Sequence, residues 1–287
     1  MLRIENSDSA IFTSIASKPS NMNANLDSAI SERSAVEGPH LAQRREATNP
    51  EITVIVPVYN EAETVIDVLQ RAMAESTPKE ILIVDDGSTD LTLERIEQWR
   101  TAAQFQPDAT ETQRIVLLKH SVNLGKGAAI RTALLQARAR FVIVQDADLE
   151  VSPDEYPWLI KPLVAGEADI VIGYRTMKSA VPGRLAHGIG IWILNLLVRL
   201  LYGVSIRDEA CCFKVLQTRD LLRMQLACNR FEFCPEVVAK AARLGLRFTE
   251  VPVAYTPRDA CGGKKLQLRD GLQAMWTLWK YRRWRAV

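Results

Sequence analysis

From residue 52 onward the chain alternates two kinds of hydrophobic pattern. Short apolar runs rich in Val and Ile lie at 52–58, 81–84, 115–118, 141–145 and 169–172. Unbroken runs of this kind predict strands buried on both faces, because a half-exposed strand would alternate polar with apolar side chains. Between them, apolar residues recur at helical spacing. Val65, Ile66, Leu69, Ala72 and Met73 form one stripe, with Asn60 as the expected cap and Glu63 behind it. Helices are also predicted over 91–100 and 127–139. Ser152, Pro153, Asp154 and Glu155 read as a helix start: a cap, a proline in the first turn, then acids at the positive end of the dipole. Strands separated by helices predict βαβ units, hence an α/β fold with a mainly parallel sheet covered on both faces. After residue 205 the alternation loosens into an apolar piece at 211–216, helices near 218–226 and 235–244 (closed by Gly245), and a strand over 248–255.

Residues 1–48 stand outside this pattern. They are rich in Ser, Asn and charge and lack apolar periodicity, so they are expected to form a disordered tail before one domain over 49–287. A length of 287 residues with 47% hydrophobic side chains suits such a domain. A net charge of +2 argues against a nucleic-acid partner, since those proteins are usually far more basic. The charge is concentrated, however: Lys280, Arg282, Arg283 and Arg285 crowd the end of the chain beside Trp279, Tyr281 and Trp284. Cys211, Cys212, Cys228, Cys234 and Cys261 show neither a CxxC pair nor a His at zinc-ligand spacing, and their odd number suits reduced thiols in the cytosol. The N-terminus lacks the charged-then-apolar layout of a secretory signal, and its acids speak against a transit peptide. The most apolar segment, 189–204, is interrupted by Asn195 and Arg199 and falls short of a membrane span. Its apolar residues suit a core helix or one lying on a membrane surface, where Trp192 and Arg199 would sit among headgroups. Trp276, Trp279, Tyr281, Arg282, Arg283 and Trp284 would supply a second anchor.

Chemistry gathers where strands end, which is where parallel sheets bind ligands. Asp146 and Asp148 follow the fourth run. Two carboxylates so close repel unless a cation lies between them, and an all-oxygen site suits Mg²⁺ or Mn²⁺ completed by substrate phosphates. Asp86 follows the second run and is placed to hydrogen-bond a base or ribose. The stretch Asn123 to Gly127 (NLGKG) precedes a helix, so its backbone N–H groups and Lys126 are expected to face phosphate. It lacks the full pattern of a Walker loop.

VPVYNE (56–61), VDDGSTD (84–90), NLGKG (123–127) and QDADLE (145–150), in this order and spacing, resemble family 2 glycosyltransferases. GYR (173–175), DEACCFKV (208–215), RFEFCPE (230–236), EVPVAYTPR (250–258) and GGKKLQLRDG (262–271) resemble the dolichyl-phosphate mannose synthase branch and its bacterial relatives. The resemblance covers about 51–283. It implies a GT-A fold, with a donor-binding part over about 51–175 and an acceptor-side part over 176–287. It further implies that Pro57, Tyr59, Glu61, Val84 and Asp86 hold the nucleoside, and that Asp146, Ala147 and Asp148 hold diphosphate and metal with Glu150 nearby. Arg175, Arg258 and Lys264 match basic positions that contact the sugar donor or the acceptor phosphate; GGKK departs from the more usual GESK-like version, so Lys265 competes with Lys264. The implied activity is inverting transfer of a sugar from GDP-mannose or a UDP-hexose to a polyprenyl or dolichyl phosphate. The implied setting is peripheral attachment at the cytoplasmic membrane surface. A phosphate acceptor needs no base, because its second ionisation near pH 6 leaves it mostly dianionic. A hydroxyl acceptor does need one, and Asp208 is then the candidate. A partner subunit that binds nucleotide sugar without catalysis is a third reading, against which the intact DAD speaks. His40, His120 and His187 match none of these roles.

Overall fold

A computed structural model describes residues 51–102, 114–177, 185–257 and 268–286. The expected tail over 1–48, Arg258, Lys264, Lys265 and Cys261 lie outside the described residues. The sequence-predicted alternation is realised as β1 (Ile52–Val58), α1 (Val65–Ala74), β2 (Lys79–Asp85), α2 (Thr92–Ala102), β3 (Ile115–Lys119), α3 (Lys126–Leu134) and β4 (Phe141–Val144). A short 3₁₀ turn (Pro153–Glu155) leads into α4 (Tyr156–Val164), followed by β5 (Ile170–Met177) and α5 (Leu185–Tyr202). The chain continues with β6 (Lys214–Gln217), α6 (Thr218–Arg223), α7 (Phe233–Arg243), β7 (Phe248–Tyr255) and α8 (Leu268–Tyr281).

The seven strands form one sheet in the order β3-β2-β1-β4-β6-β5-β7. All neighbouring pairs are parallel except that β6 runs antiparallel to both β4 and β5. Alternate residues of the inner strands feed two cores, as period-two geometry requires. Ile55, Leu82, Val84, Val142 and Val144 pack on the side of α3, α5, α7 and α8. Val54, Val56, Ile81, Ile83, Phe141 and Ile143 pack on the side of α1 and α4. Both faces are therefore dry, which explains the unbroken apolar runs.

Two local expectations are corrected. Helix α1 begins at Val65, with Thr64 in the cap position. Asn60 instead adopts φ 54° and accepts the Thr89 N–H through Oδ1 at 2.8 Å, so it locks the first loop against the second. The start at Ser152 does occur, its side chain accepting the Asp154 N–H, but it opens the 3₁₀ turn ahead of α4.

Helix α5 takes in 189–202 of the apolar segment at 189–204, begins four residues before it, and divides its apolar residues between two faces. Leu194 and Val198 are buried in the first core, with Leu197, Leu201 and Tyr202 packed against it. Ile189, Trp192, Leu196 and Leu200 are exposed, Trp192 by 63% and Leu200 by 71%. Among the described residues no helix is long and apolar enough to cross a membrane. Helix α8 packs on α5 and α7. It buries Ala274, Thr277 and Leu278 while exposing Leu272, Trp276 and Trp279. The two tryptophans stack with ring centres 5.7 Å apart. The expected second anchor is therefore smaller than the sequence suggested. Tyr281 is buried and Trp284 packs on the core beneath Lys240, whose Nζ lies 5.2 Å from the indole centre.

Candidate active site

The carboxyl ends of β1, β2, β4 and β5 share one edge of the sheet, since these strands are mutually parallel. From β1 the chain moves outward to β2 and β3, and then crosses back to β4 on the other side. That reversal is a topological switch point, where open sheets leave a crevice. Pairing of β1 with β4 stops at Ile55 and Val144, so Pro57, which lacks an N–H, sits where no ladder partner on that side is required. The loops that line the crevice are tied together. The Thr64 hydroxyl donates to the Ala147 carbonyl at 2.6 Å, joining the Tyr59–Glu61 region to the DAD turn. The Asn60 N–H donates to the Ser88 hydroxyl at 3.0 Å, and the Glu61 N–H to that of Thr92 at 2.9 Å.

In the DAD turn, Ala147 is buried while Asp146 and Asp148 are half-buried. The Lys126 ammonium lies 2.5 Å from Asp146 Oδ1. Burial alone would lower its pKa, but Asp146 and the neighbouring thiols Cys212 and Cys234 outweigh that and raise it. Asp148 accepts the Glu150 N–H at 3.2 Å, and Leu149 between them takes φ 59° to close the turn. Glu150 Oε2 accepts the Tyr255 hydroxyl at 3.0 Å. The Arg175 guanidinium lies over the Tyr255 ring at 5.2 Å. Among the described residues no group of three or more His, Cys, Asp or Glu side chains converges. The two DAD carboxylates still fit Mg²⁺ or Mn²⁺, which commonly binds through one or two carboxylates and draws its other ligands from phosphate and water.

The structure changes the reading of the glycine-rich loop and of Asp86. Asp86 is 2% exposed, and its carboxylate accepts the N–H groups of Leu124 (2.9 Å) and Gly125 (2.7 Å) and faces His120 Nδ1 at 2.7 Å. The loop does face an anion, but that anion is Asp86 of the same chain. The N–H groups of Gly127 and Ala128 donate to the carbonyls of Arg230 and Asn229. The glycines allow this approach: a Cβ on Gly125, at φ 99°, would lie 2.2 Å from the Asn229 carbonyl oxygen. The loop N–H groups expected to face phosphate, and the Asp86 carboxylate expected to face a base, thus have partners within the chain. Val84, another expected nucleoside contact, is fully buried in the first core and offers no side chain to a ligand.

Sequence reasoning passed over Asp85, whose Oδ1 is buried with no hydrogen-bond partner at the mouth of β2 and whose burial raises its pKa. An unpaired buried acceptor at a strand end costs about 1–3 kcal/mol and marks a position that a donor group can fill. The Asp-Asp doublet was the available signal; both members are buried, and nothing local says which keeps an oxygen unpartnered.

At β5, Arg175 meets Asp208 in a fork. Arg175 Nε and Nη2 donate to Asp208 Oδ2 and Oδ1 at 2.7 and 2.8 Å, and the Arg175 backbone N–H adds a third bond at 3.1 Å. Glu209, next in sequence, is buried with Oε1 unpartnered, and burial raises its carboxyl from an ordinary 4.5 to about 7. Lys214, fully buried at the start of β6, donates to the carbonyls of Glu209 (2.7 Å) and Cys211 (2.6 Å) and staples this loop. The adjacent Cys211 and Cys212 lie between these groups, the first near Asp208 and Arg175, the second near Asp146 and Lys126, and its bond to Cys211 together with burial keeps the Cys212 thiol neutral. Among the described residues Cys211 and Cys228 are buried and Cys212 and Cys234 half-buried, and none of the four is disulfide-bonded.

A family model described as glycosyl transferase family 2 matches residues 53–221. Dodecaprenyl-phosphate galacturonate synthase of Rhizobium johnstonii is 29% identical over 216 residues, which are 73% of this chain and 60% of that protein. Undecaprenyl-phosphate 4-deoxy-4-formamido-L-arabinose transferase of Serratia proteamaculans is 30% identical, over 79% of this chain and 66% of its own. Dolichyl-phosphate beta-glucosyltransferase of Trichomonas vaginalis is 32% identical, over 76% and 68%. The chain thus spans about 60–66% of the length of the first two relatives. Among solved structures, glucosyl-3-phosphoglycerate synthase from Mycobacterium tuberculosis, in complex with Mn²⁺, uridine diphosphate and glucosyl-3-phosphoglycerate, superposes with a TM-score of 0.60 at 19% identity. It covers 93% of this chain and 84% of that one. At that identity the likeness establishes the GT-A fold.

Proposed function

Because this chain belongs to glycosyl transferase family 2, we propose that it transfers a sugar from a nucleoside diphosphate donor to a polyprenyl phosphate at a membrane surface. The observation that carries the choice of acceptor is the Arg175–Asp208 fork. Three hydrogen bonds from Arg175 occupy the one carboxylate assigned as a base, so a hydroxyl acceptor would have to displace a guanidinium to reach it. A phosphomonoester acceptor brings its own nucleophilic oxygen, and an arginine at that place serves by binding it bidentately. Three relatives, named for transfer to dodecaprenyl, undecaprenyl and dolichyl phosphate, support the same reading.

In this reading the donor lies in the crevice between the ends of β1 and β4. Tyr59, Glu61 and the backbone around Pro57 flank the nucleoside, with Asp85 offering its unpartnered oxygen. Asp146 and Asp148 would hold Mg²⁺ or Mn²⁺, which neutralises the charge growing on the departing diphosphate. Lys126, paired with Asp146, is a second cation within reach of the same charge. Glu150 holds Tyr255, and Tyr255 in turn flanks Arg175, so the acceptor-side cation is braced from the donor side. Arg258 and Lys264 are proposed to add to the positive field around the phosphates. In-line displacement in such a site would invert the anomeric carbon. We also propose that the exposed rows of α5 and α8 rest on an anionic bilayer, with Arg199, Arg269, Arg283 and Arg285 exposed on and beyond them.

The test is transfer of radiolabelled sugar from GDP-mannose and from UDP-hexoses with polyprenyl phosphate and, in parallel, the unphosphorylated polyprenol. A lipid product formed only with the phosphate supports the proposal; labelling of the alcohol, or of neither, overturns it.

A further inference from the structure

The apolar surface of α5 is broken by one carboxamide. Asn195 Nδ2 donates to the Arg207 carbonyl at 2.6 Å, and its Oδ1 accepts the Glu209 N–H at 2.9 Å. The partners are a backbone acceptor and a backbone donor, so only one orientation of the amide satisfies both. These bonds grip the residues immediately before and after Asp208. From the other side Lys214 holds the Glu209 and Cys211 carbonyls, and Glu250 Oε1 accepts the Arg207 N–H at 2.7 Å. The backbone that aims Asp208 at Arg175 is therefore clamped between α5 and the sheet. Within one turn of Asn195 on the same helix are Trp192 and Leu196, both exposed. A helical segment moves as a unit, so any shift of that face reaches the loop through this amide.

We propose that Asn195 is a positioning residue: it sets the Arg175–Asp208 fork, and through it the surface on which α5 rests is coupled to the transfer site. This rests on the reading of the chain as a transferase to polyprenyl phosphate at a bilayer. The coupling requires no new contact with substrate, since the amide acts on Asp208 through the backbone. Misplacing a reacting group by about 1 Å costs roughly a hundred-fold in rate. Loss of the clasp is therefore expected to appear in turnover, whereas donor binding, which uses the β1, β2 and β4 loops, stays intact.

The experiment compares the full chain with Asn195→Ala and Asn195→Asp. Transfer to polyprenyl phosphate is measured in mixed micelles, and hydrogen exchange of the Glu209 amide with and without anionic phosphatidylglycerol vesicles. For Asn195→Ala we expect kcat to fall about ten- to hundred-fold with the donor KM changed by less than about two-fold, and the Glu209 amide to exchange at least about ten-fold faster. Asn195→Asp, which keeps the acceptor for Glu209 N–H, is expected to recover protection and part of the turnover. Vesicles should change Glu209 protection in the wild type and leave it unchanged in Asn195→Ala. Unaltered kcat and exchange in Asn195→Ala overturn the positioning role. Vesicles that bind the wild type without changing its Glu209 exchange overturn the coupling. Should the wild type transfer nothing to polyprenyl phosphate, the functional reading fails, and the exchange data still decide whether Asn195 holds the loop.

Discussion

Asp208 and Glu209 are neighbours with different surroundings, and that difference is measurable. Asp208 is forked onto Arg175, whereas Glu209 is buried with one oxygen unpartnered. Burial raises Glu209 from 4.5 to about 7, so the native state holds its proton more tightly than the unfolded chain does. Its contribution to stability is full below about pH 4.5 and is lost as pH rises through about 7. Glu209→Gln cannot titrate. The melting temperature of the wild type, taken relative to that variant, should therefore fall by several degrees between pH 5 and pH 8. Parallel curves would show that Glu209 is ordinary. Asp148 offers a second test at this scale. It is half-buried in the turn after β4 and Asn keeps its shape, so Asp148→Asn should leave the melting temperature within about 2 °C. Transfer should drop by about a hundred-fold or more, together with its dependence on added Mn²⁺. Near wild-type activity that EDTA still abolishes would remove the carboxylate from the proposed cation site. These neighbours also mark what the sequence could tell. The doublets Asp85-Asp86 and Asp208-Glu209 were visible as acids at the ends of apolar runs. Both members of each pair are buried, and what each one binds depends on partners far along the chain, such as Leu124 and Gly125 for Asp86 or Asn195 for the Asp208 loop.

At the scale of elements, helical period was enough to place α5 and strand length enough to place β7, whose bounds match the expected 248–255. Period alone was not enough to assign the faces of α5, because that helix is apolar on both. Leu194 and Val198 took the core side, leaving Trp192 and Leu200 outside. For α8 the tertiary partner decided: Tyr281 and Trp284 went to Lys240, a buried lysine on α7 that no local pattern announces. The two faces predict opposite phenotypes. Leu278→Ala, on the buried side of α8, should cost about 2–5 kcal/mol, read as a lower midpoint in urea. Trp192→Glu, on the open side of α5, should leave that midpoint nearly unchanged while sharply reducing co-sedimentation with anionic vesicles at low salt. A wild type that stays in the supernatant, or a Trp192→Glu variant that unfolds, would count against the membrane-facing assignment.

For the molecule as a whole, the expectation of a mainly parallel α/β sheet holds, and the exception is β6. This short strand enters between β4 and β5 from the distal half of the chain and pairs antiparallel with both. Among the described residues β5 is flanked by β6 and β7 alone. The proposed division into a donor-binding part and an acceptor-side part therefore does not divide the sheet, and a fragment over 51–177 should show no cooperative thermal transition by circular dichroism, whereas the full chain should. A sharp melt of that fragment would establish an independent donor domain. Sequence patterns could not reveal this interleaving, since four residues of strand, Lys214–Gln217, carry no mark of where they pair. The same strand has a consequence during synthesis. β4 and β5 leave the ribosome before β6, and from Met177 to Gln217 there are 40 residues still to be made. At about 5–20 residues per second that is roughly 2–8 s in which the apolar segments of β4 and β5 lack the strand that joins them. A nascent chain in that interval is the form most exposed to wrong pairing with its neighbours on a polysome, and slowing translation before codon 214 should lower soluble yield more than slowing it after codon 255.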